Sequence, residues 1–265
     1  MVSVPVRAET DRAHGGRWTS LRAGGREWLW RRDEPRRALV TPGDAFADAG
    51  GVEECVPTVR GAPDHGDAWS RPWHRAGDEE WVDCPDFHLV RRIRSEGDAL
   101  VADYRLTAAP GHRFLWAAHA LLDVSPDATL GIPDGTPTHL YPDEGARRIA
   151  GAWPLVADVP LDRLGPDDGT AVGAIVATPR VSVRDGRNTL HLSVDAPGRP
   201  VSVALWRNLG GFPANAPYRS IGVEPMLGRV FDLSTAGETD AARVPTSGEA
   251  HWRLTITATT DEPSP

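Results

Sequence analysis

Residues 100–107 read Leu100-Val101-Ala102-Asp103-Tyr104-Arg105-Leu106-Thr107. Leu100, Ala102, Tyr104 and Leu106 fall on one parity, Val101, Asp103, Arg105 and Thr107 on the other, so an extended chain carries its apolar set on one face. The stretch reads as a half-buried β-strand. Residues 113–124 continue the same period with both parities apolar. Phe114, Trp116, Ala118, Ala120 and Leu122 share one face, and Leu115, Ala117, His119 and Leu121 share the other, as expected of a strand covered on both sides near the centre of a sheet. Asp185-Gly186, between Val181 and Val183 on one side and Leu190, Leu192 and Val194 on the other, predicts a hairpin. Further strands are expected over 201–206, 220–224 and 251–259.

The chain has 265 residues, of which 27 are glycine and 24 proline. That is about a fifth of the whole, too frequent for long helices; a turn or two could form over 44–48 and 160–164. No fixed-period repeat, low-complexity tract or Ser/Gly-rich linker divides the sequence. The expectation is therefore one all-β domain spanning 1–265, built from large antiparallel sheets, with a loose tail over 261–265.

There is no lysine, so all 29 basic residues are arginine, against 37 acids and a net charge of -8. Schiff-base chemistry and P-loop phosphate binding both lose their essential residue. A net negative chain with scattered basic residues is a poor partner for nucleic acid or an anionic membrane, which leaves a small molecule as the expected ligand. No apolar run of seven or more follows Met1, and no stretch approaches 18 apolar residues, so a cytoplasmic monomer or homodimer is expected. Cys55 and Cys84 lack CxxC spacing and read as ordinary small side chains. GxSxG, HExxH, GxGxxG and EF-hand signatures are missing, and the nine histidines occur singly, so a metal enzyme is not expected.

Three places could carry chemistry. Residues 50–73 hold His65-Gly66 and Arg71 between Trp69 and Trp73. A guanidinium fork can address sugar hydroxyls and indole faces can cover a pyranose, although a loop pinned by a histidine hydrogen bond with tryptophans as core reads equally well. His119 stands in the apolar run 116–122, where it requires a polar partner. Glu224 ends the apolar strand Ile221-Gly222-Val223-Glu224, where a charge is costly unless paired or used.

Taken in order, Gly50-Gly51, Cys55 and Pro57; His65-Gly66 and Arg71; His119; Trp206 and Asn208; and Glu224 resemble the aldose 1-epimerase (galactose mutarotase) superfamily. The opening Gly15-Gly16-Arg17-Trp18-Thr19-Ser20-Leu21, with Trp28 and Trp30, resembles that family's first strands, and the likeness spans about residues 15–258. The resemblance implies a β-supersandwich with an open cleft and a cofactor-free interconversion of α and β sugar anomers. It implies Glu224 as the base at the anomeric hydroxyl and His119 as the acid at the ring oxygen, the two held across the ring, each transfer contributing about 10² to 10⁴ in rate. His65 and Arg71 are implied as sugar ligands, with Trp69, Trp206, Asn208 and Asp67 as further candidates.

Two features depart from the family pattern. Relatives acting on hexose 6-phosphates tend to carry an arginine just ahead of the Gly-Gly pair, whereas Ala49 stands here and Glu53 and Glu54 follow, which disfavours a phosphosugar. The aspartate that galactose mutarotases use on sugar hydroxyls has no clear counterpart; Asp64 and Asp67 lie near the motif. The alternatives are a non-catalytic carbohydrate-binding or regulatory protein on the same fold, and a hexose-6-phosphate 1-epimerase.

Overall fold

The strand Ala99–Ala108 pairs along its length with Phe87–Glu96 on one side and Glu249–Thr260 on the other. In this computed structural model, which describes residues 1–143 and 147–262, that strand lies in the middle of a nine-stranded antiparallel sheet. Leu100, Ala102, Tyr104 and Leu106 are buried while Asp103 and Arg105 stay half-buried, as the alternation requires. Asp103 is flanked by Arg94 and Arg253 from the two neighbouring strands, cross-strand pairs of opposite charge that favour this register.

Trp116–Leu122 belongs to a second, twelve-stranded sheet, where it sits between Val52–Cys55 and Arg219–Leu227. All seven of its residues are buried. Trp116, Ala118, Ala120 and Leu122 pack into the core between the two sheets, where Trp116 and Tyr104 both meet Trp252, the Tyr104 ring stacking on it at 5.1 Å. Ala117 faces outward into a smaller cluster with Cys55, Tyr141, Ile175, Ala204 and Met226, capped by Val59 and Phe231 from loops. The two parities of one strand thus serve two different jobs, core on one side and floor of the outer face on the other.

The inter-sheet core also contains charge. Glu54 accepts hydrogen bonds from Arg91 (2.7 Å), the Tyr104 hydroxyl (2.8 Å) and the Trp116 indole N–H (2.7 Å). Arg91, fully buried, donates as well to Glu80 and to the Gly16 carbonyl. On the opposite face of the same strand, Arg37 grips Glu53 with two hydrogen bonds of 2.9 and 3.0 Å. The adjacent acids therefore pair with different arginines, and Cys55 and Cys84 are free thiols.

Three local expectations change. The hairpin forms between Arg180–Asp185 and Asn188–Asp195, but Asp185 pairs with Asn188, so the two-residue turn is Gly186-Arg187. Gly186 takes φ 58° at its first position, the place where the type II′ hairpin turn demands glycine. Helical turns occur at Pro35–Leu39 and Leu233–Thr235, where Glu34 and Asp232 cap the exposed N–H groups, rather than over 44–48 and 160–164. The start of the expected tail is held, because the Asp261 backbone bonds to Arg187 and its side chain to Arg184; residues 263–265 lie outside the described residues. No helix among the described residues is long and apolar enough to cross a membrane.

Candidate active site

On the outer face of the twelve-stranded sheet lies an open cleft of about 560 Å³. Its floor is built by strand register. Ala117 pairs with Met226 and Leu121 with Gly222, which sets His119 directly opposite Glu224 on the adjacent strand. Their side chains share the outer face, and His119 Nε2 lies 3.7 Å from Glu224 Oε1. Both are buried, at 8% and 2% exposure. Glu224 Oε2 is buried with no hydrogen-bond partner among the described residues, an unsatisfied acceptor of a kind that folded proteins rarely leave without a reason.

Burial raises the Glu224 carboxyl above its usual 4.5, while His119 and Arg60 pull it down. Burial lowers the His119 imidazole below its usual 6.5, against the upward pull of Glu224. Both shifts move the two groups toward neutrality, bringing an acid and a base toward the same proton affinity, which is the condition for easy proton transfer near neutral pH.

The walls come from loops. His65 carries φ 58°, a left-handed backbone that histidine visits more often than most residues and that costs on the order of 1 to 3 kcal/mol. The following Gly66 is bridged to Val56, and a Cβ there would fall on the Val56 carbonyl. The loop is thereby pressed against the strand end and aims the His65 ring at the cleft. That ring stacks on Phe46 at 3.7 Å and meets His119 edge-on at 5.1 Å. Its Nδ1 lies 2.8 Å from Asp64 Oδ1. At the far wall Trp206 pairs with Gly222, and a Cβ on Gly222 would stand 2.9 Å from the Trp206 Cβ and 2.5 Å from Glu224 Oε1. Tyr218 closes another side, donating its hydroxyl to Asp48 at 2.5 Å and stacking on Trp30. Among the described residues no group of three or more His, Cys, Asp or Glu is placed to hold a metal.

This arrangement of large antiparallel sheets is shared, as a fold, with solved structures. A protein from Synechocystis superposes with a TM-score of 0.71 at 16% identity, covering 98% of this chain and 96% of its own. A galactose mutarotase-like protein from Lactobacillus casei gives 0.61 at 15% identity over 98% and 100%, and a galactose mutarotase related enzyme from Lactobacillus acidophilus gives 0.60 at 15% over 97% and 99%. The chain has the galactose mutarotase-like fold. No protein-family model matches the chain, and a search of curated proteins finds no match.

Within this mutarotase-like frame, His65, His119, Trp206 and Glu224 all line the cleft. Four other candidates do not line it. Arg71 lies 3.7 Å from Asp67 in an i,i+4 pair, and both stand outside the lining; burial raises the Asp67 carboxyl against the pull of Arg71. Trp69 is buried at 1% and donates its indole N–H to the Asp64 carbonyl, so it supports the His65 loop from behind. Asn208 is fully buried and spends its amide on Phe212, Gly211 and Ser220, shaping the loop after its strand. Asp64, a candidate by its proximity to the motif, does line the cleft, which also gains Phe46, Asp48, Tyr218, Arg60 and Phe231. Most come from irregular loops, where no periodicity announces which way a side chain points. The single usable signal was Asp64 beside His65.

Proposed function

We infer that the cleft binds an aldose and that Glu224 and His119 interconvert its anomers. The buried, unpartnered Glu224 Oε2 beside the His119 imidazole carries this reading. In the reaction Glu224 takes the proton of the anomeric hydroxyl, the bond from the anomeric carbon to the ring oxygen breaks, and His119 gives a proton to that oxygen. Rotation about the first carbon–carbon bond of the open aldehyde and reclosure on the other face, with both protons returned, completes the inversion. The sequence suggested an acid and a base across the ring. The hydroxyl and the ring oxygen are bonded to one carbon, however, and a carboxylate and an imidazole 3.7 Å apart are close enough to serve both. Trp206 and Phe46 offer apolar faces to the sugar carbons. Only proton transfers are needed, so the scheme calls for no cofactor.

Saturation transfer between anomeric protons, run across a panel of free aldoses with the wild-type protein, is the direct test. Accelerated exchange of at least one sugar is expected; binding without acceleration would instead favour a carbohydrate-binding role. For kcat/KM, Glu224 must be ionised and His119 protonated. The acidic limb should then fall above 4.5 and the basic limb below 6.5, giving a narrow bell whose limits belong to the pair. A plateau extending well above pH 7 would contradict His119 as the acid.

Gly222→Ala offers a second check. Its new methyl group meets the Glu224 carboxylate and the Trp206 Cβ, and displacing a reacting group by about 1 Å can cost about 10² in rate. Exchange should fall by about that factor while thermal unfolding shows the fold intact; unchanged exchange would argue against the placement of Glu224.

A further inference from the structure

We propose that Asp64 is a positioning residue that dictates which nitrogen of His65 carries the proton, so that the neutral ring offers Nε2 as a hydrogen-bond acceptor to a sugar hydroxyl. The proposal rests on the cleft being a sugar site, and it adds a recognition rule for that site.

The geometry around Asp64 is fully committed. Oδ1 faces His65 Nδ1 at 2.8 Å, and Oδ2 accepts the backbone N–H of Phe46 at 3.2 Å. Its backbone carbonyl receives the Trp69 indole N–H. One side chain therefore ties together the loop that carries His65 and the loop that carries Phe46, the ring on which His65 stacks within 10° of parallel. Burial would raise the Asp64 carboxyl, but the hydrogen bonds from the His65 ring and the Phe46 amide help bring it below its usual 3.8. An ionised carboxylate has no proton to give, so the hydrogen in the 2.8 Å contact belongs to Nδ1. The neutral ring then has a bare Nε2, and His65 lines the cleft.

Such a ring complements the chemistry beside it. His119, edge-on at 5.1 Å, is the group required to deliver a proton, and a positive charge on His65 lowers the affinity of His119 for that proton. A neutral, accepting His65 holds a hydroxyl without competing. The ligand class selected is a sugar whose ring presents a donor hydroxyl at this wall; a deoxy sugar lacking it leaves Nε2 without a partner.

Asn at position 64 discriminates sharply, because asparagine has one acceptor where the site uses two. The Phe46 N–H claims the amide oxygen, and the amide NH₂ is left facing Nδ1, which must then become the acceptor and pass its proton to Nε2. Long-range proton–nitrogen correlation on the histidine-labelled wild-type protein, with no sugar present, should show His65 protonated at Nδ1 and bare at Nε2. Asp64→Asn should reverse the pattern and Asp64→Glu should restore it. In anomer exchange, Asp64→Asn should raise KM about tenfold, the equivalent of one lost hydrogen bond, while kcat changes less, and Asp64→Glu should recover part of the loss. A wild-type ring protonated at Nε2, or an unchanged ring in Asp64→Asn, would overturn the proposal. Absence of exchange with every aldose would overturn the epimerase reading instead, since the nitrogen measurement requires no substrate.

Discussion

Glu224→Gln should lose anomer exchange and gain stability. The amide cannot take the proton of the anomeric hydroxyl, so kcat/KM is expected to fall by at least about 10². The stability gain follows from the same burial. The carboxyl at 224 is raised above 4.5 in the folded chain, so folding favours its protonated form. That contribution is complete below pH 4.5 and is lost as pH rises through the raised value, leaving the wild type with a buried, half-satisfied charge at neutrality. The neutral amide escapes that loss. At pH 7 the variant should be more stable by about 1 kcal/mol, or roughly 2–4 °C in thermal midpoint, and at pH 4 the difference should close. A variant less stable at both values, with exchange intact, would remove Glu224 from the mechanism.

Arg91→Met carries the largest expected effect on folding. Arg91 is fully buried between the sheets and pairs with both Glu54 and Glu80 at 2.7 Å. Removing the cation leaves two acids without it, one of them wholly inside the core. Breaking a buried pair in this way costs about 3–5 kcal/mol, a large share of the roughly 5–15 kcal/mol that holds a domain together. Thermal unfolding should drop by roughly 6–20 °C. Arg91→Met with Glu54→Gln should recover most of the loss, because the glutamine oxygen can still accept from Tyr104 or Trp116 and no core charge remains unpaired there. If the single variant lies within about 1 kcal/mol of wild type, the network is not what secures the two sheets.

Much of this architecture was legible before any coordinates. The alternation of residues 100–107 and the doubly apolar run 116–122 mark, respectively, a half-buried strand and a central one. The reason is geometric: side chains alternate strictly along a strand, so burial writes itself into the sequence with period two. His119 and Glu224 stood out for the related reason that a polar residue in an apolar strand needs an explanation. Arg71, Asp67 and Trp69 share a motif with His65 but not its orientation. They sit in a loop, where three residues of separation can reverse a side chain's direction. Phe46 and Tyr218 reach the same cleft from positions 172 residues apart, and neither had a local signature.

Composition and periodicity by themselves determined that this is an antiparallel β protein without lysine chemistry, with one histidine and one acid embedded where strands should be apolar. Only the tertiary structure decided that these two meet. Register places position 119 opposite 224, and register depends on inter-strand hydrogen bonds between segments a hundred residues apart, which no local pattern encodes. The structure likewise decided that the imidazole and the carboxylate lie side by side at 3.7 Å. Neighbouring strands stand about 5 Å apart, so two side chains opposed in a ladder and turned to one face start within reach of each other.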